Sequence, residues 1–390
     1  MSKKKILFIC GNIGPNSSQG VRYKNILPFL ASEYELYTLS YNNFYDNNKI
    51  KKTVLHEFIS EGKAEGKQSF NIKGKFVKIY KKLIRSFVFP DKYKYSIKEY
   101  EKEITDIISK NNITTVIIGM TPFSLYALAK SIKLLNKEIQ VIVDLSDPFS
   151  LNGANNYAFI YIANFIEKYE RNQLKYVDDV VVLNPAIKKK YEEVFNFSKI
   201  HVIEQGLKKE SIRCSKIDPN VKQRQTLIYA GGLYHGFREA FELYKAIDSF
   251  KNIGLLSMYG NINKSLLPSS NTTKIEYKGQ IDHEKLTQEY LNNDVLVFID
   301  NDEGFQVPGK VLELLAMQKP VLFIYSNEKS PTLFYVKDSG FVIKVKNNVD
   351  NIIEGIIQIQ NTDFSKVNSV DISKYYWEDL NEKYKVIIND

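Results

Sequence analysis

The feature that most narrows the fold is a rhythm. Short, continuous apolar runs recur, each followed by a loop and then by a segment with helical spacing. Residues 6–10, 114–119, 140–145 and 179–183 are such runs in the first half. A strand that is apolar at every position is buried on both faces, as in a parallel sheet covered by helices. After a charged stretch at 208–225, which contains Pro219 and has no period, the rhythm restarts. Strand-like segments at 226–230, 254–259, 274–277, 295–300, 321–324 and 340–345 continue it. The second half thus repeats the architecture of the first without sharing obvious sequence. A chain of 390 residues is too long for one core. The reading is α/β: two Rossmann-like domains, 1–207 and 226–370, joined by a linker at 208–225 and followed by a helix at 371–390 that carries the sole tryptophan, Trp377.

In open parallel sheets ligands bind beyond the carboxyl ends of the strands, so the loops that follow the runs carry the functional expectation. After residues 6–10 comes a loop of Gly11, Asn12, Gly14, Pro15, Asn16, Ser17, Ser18 and Gly20, leading into a helix at about 21–32. It lacks the strict GxGxxG pattern and is longer, which disfavours a nicotinamide cofactor. Residues 41–70 read as polar and irregular. Thr121 ends one strand and Asp147 another, both placed to face a cleft; an Asp before Pro148 also serves as an ordinary turn or helix cap. In the second half Gly231-Gly232 opens a turn that runs to Arg238, and Gln280-Ile281 forms a strand-to-helix turn before Asp282, an N-cap candidate.

The most informative loop is 302–324. Pro308 and Gly309 open a short helix, apolar through Val311, Leu312, Leu314, Leu315 and Ala316, and Lys319-Pro320 leads from it into a buried strand. Lys310 and Glu313 interrupt the apolar surface three residues apart, on one face. A lysine in the first turn opposes the helix dipole, and Lys before Glu is the poorer order for an ion pair. An exposed Lys–Glu pair is one reading; a ligand that offers an anion to Lys310 and a diol to Glu313 is the other.

Bulk properties exclude several classes. Apolar content of 44% with 25% charged residues is ordinary for a soluble globular chain. The first apolar run, five residues, is too short for a signal peptide, and no run approaches a membrane span. Cys10 and Cys214 build neither a disulfide framework nor a metal site, and the cytoplasm is the expected compartment. Of the net charge of +9, a local +7 sits between Lys73 and Lys94, where eight basic residues meet one acid, Asp91. That concentration argues against a general nucleic-acid binder. Within 73–88, Phe76, Ile79, Leu83 and Phe87 share one helical face and Lys75, Lys78, Lys82 and Arg85 the other. Such a helix either lies in an anionic membrane interface or packs its apolar stripe on the core. His56, His201, His235 and His283 join no cluster with metal-ligand spacing; His235, in the glycine-rich turn, packs or faces water, or else touches a phosphate, the first being the expectation. Asp300-Asn301-Asp302 has DxD spacing but follows a strand of the wrong domain for metal-bound donor chemistry, so metal independence and no cofactor are expected.

With these residues in view, the run Pro308-x-Lys310-Val311-Leu312-Glu313-Leu314-Leu315-Ala316-x-x-Lys319-Pro320-Val321 resembles the signature of retaining glycosyltransferases of the GT-B fold, family 4-like (glycosyl transferases group 1). Tyr229-Ala230-Gly231-Gly232-Leu233-Tyr234 with Arg238, Lys278-Gly279-Gln280-Ile281, Asp144-Leu145-Ser146-Asp147-Pro148 and Pro90-Asp91 are similar to further elements of that family, in order along nearly the whole chain. The resemblance implies two domains facing across a cleft, with the C-terminal helix crossing back to the first. It implies that Arg238 and Lys310 bind the donor pyrophosphate, that Glu313 holds the ribose, and that Gln280 and Ile281 meet the base. Gly20 would admit the diphosphate, with Gly231 and Gly232 in the nucleotide turn; Glu303 to Gln306 would line the sugar pocket, Val307, Pro308 and Gly309 would join the substrate-binding residues, as would Thr121, and Asp147 would orient the acceptor. Two departures stand out. Where many members have a second glutamate eight residues before the ribose glutamate, this chain has Phe305, with Glu303 two residues earlier. The usual second cation of the nucleotide turn is missing, and Lys310 is the candidate replacement.

The expected activity is therefore metal-independent transfer of a sugar from a nucleotide-sugar donor to a glycan or lipid-linked acceptor, in cell-surface polysaccharide synthesis on the inner face of the membrane. A sugar-nucleotide isomerase of the 2-epimerase kind and a catalytically silent nucleotide-sugar-binding partner are the alternatives.

Overall fold

The computed structural model describes residues 3–13, 18–43, 51–54, 89–151, 160–209, 225–268, 273–302, 304–367 and 370–390. The basic amphipathic stretch 73–88 and most of the linker 208–225 lie outside the described residues. The chain divides into two compact units, Met1–Gln205 with Leu380–Asp390, and Gly206–Asp379.

The first unit holds a seven-stranded parallel sheet. Its strands are β1 (Lys5–Ile13), β2 (Glu35–Asn43), β3 (Lys51–Val54), β4 (Thr115–Gly119), β5 (Gln140–Leu145), β6 (Asp179–Val182) and β7 (Ile200–Val202), in the order β3-β2-β1-β4-β5-β6-β7. β4 is buried at every residue, as the continuous Thr-Val-Ile-Ile-Gly run requires of a strand covered on both faces. Two expectations are corrected. β3 falls within the stretch read as irregular: it is a four-residue edge strand on β2, and Lys51-Lys52-Thr53 carries no hydrophobic signal. The helix after the glycine-rich loop starts at Ser18 rather than about 21, so Gly20 belongs to its first turn.

That helix, Ser18–Glu33, buries Tyr23, Ile26, Leu27 and Leu30 and, among them, Arg22, whose side chain is 0% exposed. Each nitrogen of the guanidinium is engaged. Nε donates to the Asp144 carboxylate at 3.1 Å, Nη1 to the Glu204 carbonyl at 2.7 Å and Nη2 to the Tyr384 hydroxyl at 3.1 Å. Burial pushes the Asp144 carboxyl up, against the pull of Arg22. Tyr384 lies on the helix Trp377–Asn389, whose residues from Leu380 onward belong to this unit. Gln140 and Lys4 reach carbonyls of the same helix at Ile387 and Ile388.

The second unit holds a six-stranded parallel sheet of β8 (Gln225–Ala230), β9 (Ile253–Tyr259), β10 (Ile275–Gly279), β11 (Val295–Ile299), β12 (Val321–Tyr325) and β13 (Val342–Lys346), in the order β10-β9-β8-β11-β12-β13. Apolar clusters fill both faces, one around Leu243, Ile247, Leu256 and Ile352 and the other around Leu312, Leu315, Phe298 and Phe323. Lys319 is buried here. Its ammonium reaches the Leu291 carbonyl at 2.7 Å and the Asn293 carbonyl, and so closes the end of the helix His283–Asn292. The Lys-Pro pair after the short helix therefore has a structural task.

In both sheets the first strand of the unit lies between the second and the fourth. Strand order reverses between β1 and β4, and between β8 and β11. These switch points are where open α/β sheets leave a crevice at their carboxyl edge.

Candidate functional site

At the second unit's switch point, β8 runs into Gly231-Gly232 and β11 into Asp300-Asn301. Three glycines let the strand ends approach one another. Gly231 N–H donates to the Tyr259 carbonyl at 2.9 Å, and Gly260 N–H to the Gly279 carbonyl at 2.9 Å. Gly260 has φ +132, and a Cβ there would stand 2.2 Å from the Gly231 carbonyl oxygen. Only glycine fits that position.

Beyond Gly232 the chain makes a tight hairpin. Tyr234 and Arg238 exchange backbone hydrogen bonds of 2.8 and 2.9 Å around Gly236 at φ +68. His235 at its tip is tied to Glu239 at 3.2 Å and Ser265 at 2.8 Å. The hairpin delivers Arg238 to the crevice. There Nη2 donates to Asn301 Oδ1, Nη1 reaches the Gly232 carbonyl at 3.5 Å, and Nε is buried with no hydrogen-bond partner among the described residues.

The loop after β11 brings in the other motif. Lys310 begins the helix Lys310–Ala316, with Val311 and Leu312 N–H groups bonded back to Pro308 and Gly309. Burial depresses the Lys310 ammonium below its ordinary value; the Glu313 charge raises it in part, and the Arg238 charge lowers it further. Two cations from separate motifs thus share one neighbourhood and repel. Glu313 lies one turn along, half-buried, where its charge also acts on the Tyr290 hydroxyl. Burial takes the Tyr229 hydroxyl up to about 12, with Arg238 opposing. Asp300 is buried and accepts from Ser330 Oγ at 2.5 Å, Thr332 Oγ1 at 2.9 Å and Asn301 N–H at 2.9 Å. The first carboxylate of this Asp-Asn-Asp triplet is thus spent on two protein hydroxyls and a backbone N–H.

Of the sequence-predicted residues, this crevice collects Gly231, Gly232, Arg238, Gln306, Val307, Pro308, Gly309, Lys310 and Glu313. Gln306 joins it through its carbonyl, 3.4 Å from Asn301 Nδ2. Gln280 is exposed and Ile281 half-buried at the carboxyl end of the neighbouring β10. Glu303 lies outside the described residues. In the first unit Thr121 follows β4, exposed, with φ +120, a conformation rarely held by a non-glycine residue. A Cβ on Gly11, at the end of β1, would meet the Thr121 carbonyl at 2.4 Å. Asp147 follows β5 and is half-buried. Gly20, expected in the loop as a point of diphosphate approach, is instead buried inside the helix Ser18–Glu33.

Sequence reasoning missed Arg22 and Asn301. Arg22 had a signal, a cation on the same stripe as Ile26 and Leu30. Asn301 had none, because an asparagine after a strand is ordinary loop composition. Among the described residues, no three His, Cys, Asp or Glu side chains gather as a metal-holding group, and no helix is long and apolar enough to cross a membrane.

No protein-family model matches the sequence, and no curated protein matches it. Solved structures do. Sucrose-phosphate synthase from Thermosynechococcus elongatus superposes with a TM-score of 0.67 at 12% identity, covering 99% of this chain and 98% of that one. The lipopolysaccharide outer core galactosyltransferase WaaB superposes at 0.60 and 14%, covering 99% of each. A UDP-N-acetylglucosamine 2-epimerase superposes at 0.51 and 10%, covering 99% and 95%. The chain has the GT-B fold, two α/β units, each built on its own parallel sheet.

Proposed function

We propose that this chain is a retaining, metal-independent glycosyltransferase that moves a sugar from a nucleotide-sugar donor to a hydroxyl of a glycan or lipid-linked acceptor. One observation carries the reading: Arg238, half-buried on its hairpin, and Lys310, desolvated at the start of its helix, come together at a switch point and repel. An anion bridging two such cations removes the repulsion, and a diphosphate leaving group supplies that charge. Arginine suits the task because its planar fork pairs phosphate oxygens bidentately.

In the proposed reaction the bond from the anomeric carbon to the diphosphate oxygen breaks, and its electron pair goes to that oxygen. Arg238 and Lys310 stabilise the charge that develops there. The acceptor oxygen bonds to the anomeric carbon on the same face, and its proton passes to the departing phosphate. Glu313 holds the ribose hydroxyls, Gln280 and Ile281 meet the base, and Gln306 to Gly309 line the sugar pocket. Asp147 orients the acceptor beside Thr121. Purified protein incubated with a panel of nucleotide sugars, read by mass spectrometry, tests this. Release or transfer of sugar should be lost in Arg238→Ala and Lys310→Ala; unchanged turnover in both removes the assignment.

The likeness to a 2-epimerase supports a second reading, isomerisation of the sugar nucleotide. Its signature in the same experiment is a product of unchanged mass and altered stereochemistry. Binding of a nucleotide sugar without turnover would favour a silent partner.

We further propose that the enzyme works at an anionic membrane surface in cell-surface polysaccharide synthesis. The basic stretch 73–88 supports this, as do Lys94 and the 74% exposed ring of Tyr95, 5.0 Å apart just after it. In liposome flotation with anionic lipid, changing Lys78, Lys81, Lys82 and Arg85 to Glu should abolish recovery with the vesicles. Equal recovery would sink the idea.

A further inference from the structure

Arg238 reaches the crevice on a hairpin whose tip is exposed, and an arginine carries many rotamers. Something must hold its guanidinium before a ligand arrives. The side chain that does so comes from the other side of the switch point. Asn301, 7% exposed, follows β11; its Oδ1 accepts from Arg238 Nη2, and its Nδ2 donates to the Gln306 carbonyl at 3.4 Å. Its own backbone N–H is fixed by the Asp300 carboxylate, which Ser330 and Thr332 hold in turn. The Phe237 carbonyl beside Arg238 accepts from Asp302 N–H at 2.9 Å, so hairpin and loop are tied at the backbone as well.

We propose that Asn301 is a positioning residue that aims Arg238 at the diphosphate and couples that arginine to the sugar-pocket loop Gln306–Gly309. The inference rests on the donor-site reading of Arg238 given above. A neutral amide suits this place for a physical reason. Its oxygen satisfies one guanidinium N–H without adding a counter-charge to the one that the neighbouring Asp300 carboxylate already exerts, so positive charge stays available to an anion. A carboxylate in the same place would pair with Arg238 and cancel it. The amide nitrogen bonds the loop carbonyl, so movement of the arginine toward a phosphate is felt at Gln306. Arg238 Nε, buried and without a partner among the described residues, is the donor that this arrangement leaves for the ligand.

The test is a double-mutant cycle on the full chain, read by calorimetric binding of inorganic pyrophosphate and of uridine and guanosine diphosphates. Asn301→Ala should weaken pyrophosphate binding about tenfold in the parent background. In the Arg238→Ala background it should change nothing, because the residue it aims is gone. Asn301→Asp keeps the side-chain volume and the acceptor to Arg238. It should lose more affinity than Asn301→Ala while its unfolding midpoint is no lower, an order that a merely structural role would reverse. Equal losses from Asn301→Ala with and without Arg238 overturn the inference and leave the donor site standing. If the parent protein binds none of the three probes, the donor-site reading falls, and this inference with it.

Discussion

Each unit places one arginine near the switch point of a parallel sheet, and the two are treated in opposite ways. Arg22, beneath the first sheet's carboxyl edge, spends its Nε and both Nη atoms on Asp144, Glu204 and Tyr384 and is sealed from solvent. Arg238, in the second, is held by Asn301, keeps a buried Nε without a described partner, and lies near the like charge of Lys310. A buried charge salt-bridged and bonded at every nitrogen holds a fold together; one held by a neutral amide beside a like charge is kept for something that binds. Arginine content alone says nothing of this difference.

The comparison breaks first at Arg22. Arg22→Ala leaves the Asp144 carboxylate buried without its counter-charge, with the Ser146 hydroxyl at 3.4 Å, and should cost the first unit about 3–5 kcal/mol. The two units can be read separately, because the only tryptophan, Trp377, belongs to the second. In urea, the circular-dichroism transition should shift markedly while the Trp377 fluorescence transition shifts less. Arg238→Ala should show the reverse. Stability stays nearly level, and about 2.7–4 kcal/mol of transition-state stabilisation disappears from sugar release, as for loss of one oxyanion donor. A large stability loss there would make Arg238 a second Arg22.

Lys310 sharpens the contrast through pH. In the unfolded chain it titrates at 10.5, and in the folded protein lower, through burial. Between those values the unfolded chain holds a proton that the folded one has released, so stability rises with pH across that alkaline window. Below the window the penalty is constant. Lys310→Met should flatten the rise in the Trp377 transition and make the second unit about 1 kcal/mol more stable at neutral pH. Saturating pyrophosphate should flatten it too, by drawing the lysine back toward its ordinary value. A pH profile identical in parent and variant would show that the ammonium is not desolvated.

Much of the architecture was legible because buried parallel strands must be apolar without interruption. β1, β4, β5, β8, β11 and β12 each contain at least three consecutive apolar residues. β3 was not legible, because an edge strand of four polar-rich residues acquires its identity only from β2 beside it. The start of the helix Ser18–Glu33 was misplaced for a related reason: Ser18, Gln19 and Gly20 look like loop, and tertiary packing overrides their weak preferences. At the site, Lys310 and Glu313 could be singled out because they violate the local rules of a helix, and Arg238 because it follows a glycine turn. Asn301 breaks no local rule, and only its neighbours give it a role.

The sequence by itself determined the class of the fold, since its alternation of continuous apolar runs and helical segments can bury its surface only as two helix-covered parallel sheets. It also marked the loops where a ligand would meet the strand ends. Which charges are satisfied and which are left for a ligand was decided only in three dimensions. Arg22 finds Asp144, and Arg238 meets Asn301 and Lys310, across long stretches of chain. Electrostatic energy depends on distance and on the surrounding dielectric, and neither is written in the order of the residues.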